Sequence, residues 1–197
     1  AELVDGEWVV NGAKQFITNS GSDITSCVTV TAKTGVRVST GSTSETRPEI
    51  STIIVPSGTD GFTAEPPYDK LGWHASDPHA LTFQDARVPE DHLLGERGRG
   101  LSQFLATLDD GRVAIASLAV GCIRACVDAS VKYAGERQTF GVPIGRKQGL
   151  AFQISDMEVM LRASRLLTYQ AAAMKDALLR GSGPRAGEYQ QAAAVAK

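Results

Sequence analysis

The chain has 197 residues, of which 42% are hydrophobic and 21% charged, and its formal net charge is −2. This composition is sufficient for a sizeable core in one or two domains and excludes a disordered chain. A pI near 5.9 and the lack of a basic, aromatic-rich run argue against nucleic acid as a partner.

The first half of the chain predicts strands. Residues 5–10 and 13–18 flank Asn11-Gly12, a dipeptide that supplies the two positive-φ residues of a type I′ turn. We therefore predict a β-hairpin with its turn at Asn11-Gly12.

Alternating and β-branched runs predict further short strands, separated by turn residues. Residues 35–48, rich in Ser, Thr and Gly, predict an exposed loop or a loose hairpin tip. This density of short strands favours a small sandwich or barrel. The predicted strands are residues 27–32, 50–55, 61–64, 80–83 and 86–88.

The apolar period becomes helical after residues 95–100, a glycine-rich segment that we interpret as the turn joining two domains. Spacings of three and four predict one long helix over residues 113–131 and a second over residues 150–164. Pro143 and its flanking glycines separate them, and Pro184 favours the start of a third helix. The predicted fold class is α+β: a small antiparallel β-sandwich or barrel domain over residues 1–96, then a helical bundle over residues 97–197.

Cysteine usage and hydropathy bear on location. Cys27, Cys122 and Cys126 form an odd and sparse set, which fits a reducing compartment, so we expect a cytoplasmic protein. We find no run of about 18 apolar residues and expect no membrane span. The last residues favour a helix and carry no stop signal, which is typical of a truncated chain.

The three histidines indicate no metal site. His74, His79 and His92 lie near aspartates, but no HxxxH or CxxC spacing is present. We expect loop histidines and no bound metal.

Three segments in order and spacing resemble a known family. Lys14-Gln-Phe-Ile-Thr-Asn19 resembles the flavin-contacting strand of acyl-CoA dehydrogenases, with Phe16 where Trp is usual. Leu108-Asp-Asp-Gly-Arg-Val113 resembles the start of the helix that lines their acyl pocket. Glu136-Arg-Gln-Thr-Phe-Gly-Val-Pro-Ile144, followed by Gln148, resembles their adenine and pyrophosphate segment. The resemblance covers nearly the whole chain, is closest to the short-chain type, and implies their middle β-domain and the first part of their C-terminal helical domain.

The resemblance also implies an activity. The expected reaction is FAD-dependent α,β-dehydrogenation of an acyl-CoA thioester to trans-2-enoyl-CoA, with electrons passed to an electron-transferring flavoprotein. A homo-oligomer, dimer or tetramer, is expected because a neighbouring subunit supplies part of the FAD site. An acyl-CoA oxidase or nitroalkane oxidase of the same fold stays open as an alternative, as does a non-catalytic subunit that binds flavin or thioester.

The flavin ring is expected against the strand at Phe16, Ile17 and Thr18. An isoalloxazine needs an apolar wall and hydrogen-bond donors near N5 and O4. By resemblance, Phe16 packs on the ring and Thr18 bonds near N5. The alternative is an ordinary hairpin with Phe16 in the core.

The dinucleotide is expected against Arg137, Thr139, Phe140 and Gln148. Arg offers a planar fork of donors that suits phosphate oxygens and stays charged. By resemblance, Arg137 and Gln148 bind FAD held mainly by another subunit, with Thr139 and Phe140 beside its adenosine half. The alternative for Arg137 is a solvated charge at a helix end.

The substrate side is expected at Asp109, Asp110, Gly111 and Arg112, at the predicted helix start. Asp109 has an equally good structural explanation, because Asp caps helix N-termini. Gly111 stands where the isovaleryl-type branch carries its catalytic Glu, so that position offers no carboxylate. No residue of the chain is assigned as general base, and by resemblance the base is a Glu beyond Lys197.

Overall fold

The computed structural model describes residues 1–38 and 46–197, which form two compact units, Ala1–Leu105 and Ala106–Lys197. The first unit consists mainly of strands. These are β1 (Glu2–Val4), β2 (Glu7–Thr18), β3 (Cys27–Val38), β4 (Thr46–Pro56), β5 (Phe62–Ala64) and β6 (Pro78–Pro89), followed by a 3₁₀ helix at Glu90–His92.

The strands of the first unit form two antiparallel sheets with one core. One sheet has the order β1-β2-β6-β5, and the other pairs β3 with β4. Both sheets contribute alternate side chains to a single hydrophobic cluster, as expected for a sandwich. The sandwich interpretation is therefore confirmed. The buried members are Trp8, Val10, Val28, Val30, Ile53, Val55, Leu81, Phe83, Ala86 and Val88.

The predicted hairpin turn at Asn11-Gly12 is wrong. β2 continues through this dipeptide, and the tight turn lies at Asp5-Gly6, whose φ angles are 52° and 82°. Asn11 instead pairs with Asp85 across the sheet: its Nδ2 donates to Asp85 Oδ1 at 2.9 Å, and its Oδ1 accepts the Asp85 amide at 2.8 Å. Asp-Gly suits a type I′ turn as well as Asn-Gly does. Because Asn11 pairs with Asp85, it lies in a bulge of the sheet and not in the turn.

The two strands predicted at residues 80–83 and 86–88 are halves of β6. Asp85 has a φ of 50° and interrupts the alternation between them. Because of this extra residue, Leu81 and Phe83 on one side and Ala86 and Val88 on the other all reach the core.

Of the two alternatives for residues 35–48, the exposed loop is wrong at both ends, whereas the antiparallel pairing of β3 with β4 fits the hairpin. Val36 pairs with Pro48 and Arg37 with Arg47, so β3 and β4 extend beyond their apolar parts. Val36 is exposed, so backbone pairing and not burial holds it in β3, whereas Arg37 also contacts the Glu49 carboxylate and the Arg97 carbonyl through its side chain. Residues 39–45 of the predicted loop lie outside the described residues.

The segment predicted as a domain-joining turn is fixed to the first unit by Arg97. Its Nε donates to Glu49 Oε1 at 2.6 Å, its Nη2 donates to the Thr34 carbonyl at 2.8 Å, and its guanidinium lies 5.4 Å from the Trp8 ring centroid. The hydrogen bond from Arg97 holds the pKa of the Glu49 carboxyl below its usual range.

The second unit is built from three helices and a short hairpin, and the predicted helices are confirmed. α1 begins within the first unit, earlier than the predicted residue 113. A Cβ on Gly100 would come within 2.5 Å of the Ser51 backbone, so only glycine fits at this start. The elements are α1 (Gly100–Glu136), β7 (Gln138–Thr139), β8 (Val142–Pro143), a 3₁₀ helix at Ile144–Arg146, α2 (Gln148–Leu179) and α3 (Ala186–Ala196).

The length and hydropathy of α1 do not agree with the expectation that no segment could span a membrane. In the part of the chain that the structure describes, it is the one helix long and apolar enough to do so by length and composition. Its charged residues are widely spaced, which leaves a long apolar window between them. A core helix of a helical bundle meets the same criteria, so this finding carries no membrane assignment.

Candidate functional site

Phe16 lies in a bulge near the end of β2. The register with β6 shifts between Lys14 and Ile17, and Phe16 has a φ of 58°, a left-handed conformation that is rare for a bulky residue. Its side chain is 69% exposed, and its ring centroid lies 5.0 Å from that of Tyr68. The bulge therefore directs an aromatic ring outward, and the alternative of Phe16 as a core residue is wrong.

Thr18 and Ile17 differ in their surroundings. Ile17 packs against the hydrophobic core, whereas Thr18 is exposed at the last position of β2. Within the described residues the Thr18 hydroxyl makes no hydrogen bond, so it is available to a ligand. An exposed ring with a hydroxyl two residues later can cover an aromatic ligand and bond to its edge.

The segment 137–148 presents the second set of predicted residues. Arg137 directly follows α1, and its carbonyl accepts the Ile144 amide at 2.8 Å, which closes the β7–β8 hairpin. The turn consists of Phe140 and Gly141, with φ angles of 54° and 77°, as a type I′ turn requires. Phe140 is 96% exposed, and its ring lies 4.6 Å from Lys147 Nζ.

The polar groups of this segment fit a dinucleotide. Within the described residues the Arg137 guanidinium has no ion-pair partner, and the buried Thr139 Oγ1 has no hydrogen-bond partner. Gln148 is the first residue of α2, whose N-terminus has no side-chain cap. Free amides at a helix N-terminus and an unpaired arginine each suit phosphate oxygens.

Asp109 does not cap a helix, because α1 already begins at Gly100. Asp109 is buried and accepts a hydrogen bond from Arg112 Nη1. A Cβ on Gly111 would meet no atom within 4 Å, so glycine leaves open space beside this pair. The capping interpretation is therefore wrong. The contact that Asp109 makes instead is the ion pair with Arg112 within α1.

Asp110 links the three helices through two partners that the sequence does not indicate. Lys175 of α2 approaches its Oδ1 at 2.8 Å, and the Tyr189 hydroxyl of α3 donates to the same oxygen at 2.8 Å. The hydrogen bond from Lys175, and then that from Tyr189, lowers the pKa of Asp110. Burial, followed by the bond to Asp110, raises the pKa of Tyr189 to about 12.

Tyr189→Phe tests this link. We expect a loss of about 1 kcal/mol in the free energy of unfolding, because one hydrogen bond to a carboxylate disappears. The pKa of Tyr189 is raised in the folded state. The difference in the free energy of unfolding between the wild type and Tyr189→Phe is therefore fully present below pH 10 and is lost as the pH rises through about 12.

Urea unfolding at several pH values measures this difference, and Tyr133→Phe, at an exposed position of α1, is the matched control. Equal unfolding midpoints for Tyr189→Phe and the wild type near neutral pH would contradict the link.

Sequence patterns could not identify every residue at these sites. Asp110 and Tyr189 are far apart in the chain, and no motif joins them. His79 was expected in a loop but is buried in β6, opposite Ile17. Its alternating apolar neighbours Leu81 and Phe83 were the available signal.

Two family models match the chain. The acyl-CoA dehydrogenase middle domain matches residues 1–86, and the acyl-CoA dehydrogenase C-terminal domain matches residues 98–197. The mitochondrial short-chain specific acyl-CoA dehydrogenase of Rattus norvegicus is 42% identical over 169 residues, covering 86% of this chain and 39% of the relative. The chain thus spans about two fifths of the length of the curated relatives it matches.

Solved structures share the fold. One, described as the electron transferring flavoprotein of Acidaminococcus fermentans, has a TM-score of 0.82 and 34% identity, covering 99% of this chain and 47% of that one. Another, an acyl-CoA dehydrogenase of Bacillus anthracis complexed with FAD, has a TM-score of 0.79 and 28% identity, covering 99% of this chain and 31% of that one.

Proposed function

Because the chain belongs to the acyl-CoA dehydrogenase family, we propose that the intact protein is an FAD-dependent enzyme that oxidises a short acyl-CoA to its trans-2-enoyl-CoA. The observation that carries this proposal is the display of Phe16 and Phe140. Both are exposed aromatic residues in left-handed conformations, and each lies in a segment that resembles a flavin-contacting motif. Backbone strain of this kind concentrates at ligand sites.

The described residues fit FAD. In the first unit, Phe16 and Ile17 would supply the apolar wall for the ring system, and Thr18 would donate its free hydroxyl. In the second unit, Arg137 and Gln148 would bind the phosphates of an FAD held mainly by a neighbouring subunit, with Thr139 and Phe140 beside its adenosine half. Bound FAD supplies the acceptor for the hydride that leaves the acyl chain.

The proton removed from the α-carbon requires a carboxylate base. Gly111 has no side chain, Asp109 is paired with Arg112, and Asp110 is occupied by Lys175 and Tyr189. These pairings engage both aspartates in structural contacts. Residues 109–112 would line the substrate side. As the family resemblance implies, the general base would be a Glu beyond Lys197.

The proposal includes partners and location. The electron acceptor is an electron-transferring flavoprotein, which is supported by the family and by the description of one structural neighbour. A homo-oligomer would supply the remainder of the FAD site to Arg137 and Gln148. The cytoplasm is proposed from cysteine usage alone.

Turnover with different acceptors tests the function. We expect the intact protein to form trans-2-enoyl-CoA from butyryl-CoA when an electron-transferring flavoprotein is present, with little oxygen consumed. Peroxide formation at the same rate without that partner would identify an oxidase instead. Bound FAD with no turnover of any acyl-CoA or nitroalkane would identify a non-catalytic subunit.

A further inference from the structure

Residues 77–79 lie directly beside the end of β2 that carries Phe16. In the sheet register, Thr18 is opposite Pro78 and Ile17 is opposite His79. His79 is only 5% exposed, although histidine is seldom buried without a specific partner. The contacts of His79 therefore help to fix the position of the exposed end of β2.

The His79 ring is fixed on two sides. Its Nδ1 lies 2.7 Å from the Glu65 carbonyl oxygen, which can only accept, so Nδ1 carries the proton. A Cβ on Gly21 would come within 2.6 Å of the same Nδ1, so the ring fills the space that Gly21 leaves. Its Nε2 lies 3.6 Å from Asp77 Oδ2 and has no hydrogen-bond partner among the described residues.

Asp77 holds the residue that follows Thr18. Its Oδ1 accepts the amide of Asn19 at 3.1 Å, and the Thr25 hydroxyl donates to the Asn19 carbonyl at 2.8 Å. Asn19 has a φ of 57°, so the chain leaves β2 in a left-handed conformation fixed at both peptide groups. The direction of Thr18 thus depends on the Asp77 carboxylate.

The same three residues also hold the neighbour of Phe16. The Pro78 carbonyl accepts the Tyr68 amide at 3.1 Å, and the Tyr68 ring is the one that contacts Phe16. The bond from His79 to Glu65 fixes the start of the segment that leads to Tyr68. Residues 77–79 therefore contact both the residue that follows Thr18 and the segment that carries Tyr68.

We propose that Asp77 and His79 are positioning residues, which hold Phe16 and Thr18 in the orientation that contacts the flavin ring. This inference rests on the proposed FAD site, because Phe16 and Thr18 are its ring-contacting residues. Asp77 fixes the chain after Thr18 through the Asn19 amide. His79 fixes the segment that carries Tyr68, and its bulk requires glycine at position 21.

Paired variants of the intact, flavin-loaded protein test the proposal. Asp77→Ala and His79→Leu remove the two hydrogen bonds, whereas Asp77→Asn and His79→Asn keep an acceptor for Asn19 and a donor for Glu65. We expect hydrogen exchange of the Asn19 amide to accelerate about tenfold in Asp77→Ala. We expect Asp77→Ala and His79→Leu to shift the visible flavin spectrum and the flavin potential. Asp77→Asn and His79→Asn should keep the wild-type spectrum and potential.

His92→Leu is the matched control, because His92 Nδ1 also bonds a backbone carbonyl, that of Ile54, beyond the opposite end of β6. It should alter neither the Asn19 exchange rate nor the flavin spectrum. Gly21→Ala adds a geometric test: it should perturb the spectrum in the wild type but not in the His79→Ala background, where the ring is gone.

The outcomes separate two failures. A wild-type protein that binds no FAD contradicts the proposed function. A flavin-loaded wild type whose Asp77→Ala and His79→Leu variants keep its exchange rate, spectrum and potential contradicts only the positioning role. Altered exchange with an unchanged flavin spectrum also overturns that role, because the two residues would then stabilise the sheet alone.

Discussion

Replacing Arg137 by alanine is expected to weaken FAD retention by the intact protein roughly 30- to 100-fold, which corresponds to a charge-assisted hydrogen-bond loss of about 2–3 kcal/mol. Arg137 directly follows α1 and has no ion-pair partner within the described residues, so its charge is available to a phosphate. FAD content after gel filtration and the dissociation constant from flavin titration measure the loss.

Arg124→Ala is the matched control for Arg137→Ala. Arg124 lies on the exposed surface of α1 and pairs with Asp128 at 2.9 Å, so its removal should leave FAD affinity unchanged. Equal FAD content in the Arg137→Ala variant and the control would exclude Arg137 from the cofactor site.

Trp8→Ala is expected to destabilise the first unit by about 3–5 kcal/mol. Trp8 is 1% exposed in the core between the two sheets, and its Nε1 donates to the Glu90 carbonyl at 3.2 Å. The substitution removes the packing of the ring and the indole hydrogen bond to the Glu90 carbonyl, which keeps the Leu93 amide as a donor. Since domains are stable by about 5–15 kcal/mol, this loss removes a large share of the unit's free energy of unfolding.

Trp73→Ala provides the control for Trp8→Ala with the same residue type. Trp73 is 62% exposed, so the expected change is within about 0.5 kcal/mol. Urea unfolding followed by far-ultraviolet circular dichroism measures both variants. Similar midpoints for the two would contradict the position of Trp8 in the core.

Much of the fold could be predicted from local pattern. Alternation along β6 and the helical spacing in α1 and α2 reflect the faces that these elements bury, so the sequence carries both signals. The turn position could not be chosen in this way. Asp5-Gly6 and Asn11-Gly12 are equally suited to a type I′ turn, and Asp85, distant in sequence, decides between them.

The candidate site was predictable only where motifs carry it. The exposure of Phe140 follows from its turn beside Gly141, but the left-handed bulge at Phe16 depends on pairing with β6. The start of α1 depends on the close approach of Gly100 to Ser51, which is why Asp109 was misassigned as a possible cap. Contacts between distant segments determine these features, and single-sequence patterns do not contain them.

Anaerobic addition of butyryl-CoA to the intact, FAD-loaded protein tests the central claim most directly. An acyl-CoA dehydrogenase should lose its main visible flavin absorption band on addition of the thioester, with trans-2-enoyl-CoA formed in proportion to the flavin reduced. A flavin band that keeps its full intensity with butyryl-CoA and with longer and branched acyl-CoA thioesters would contradict the proposed function.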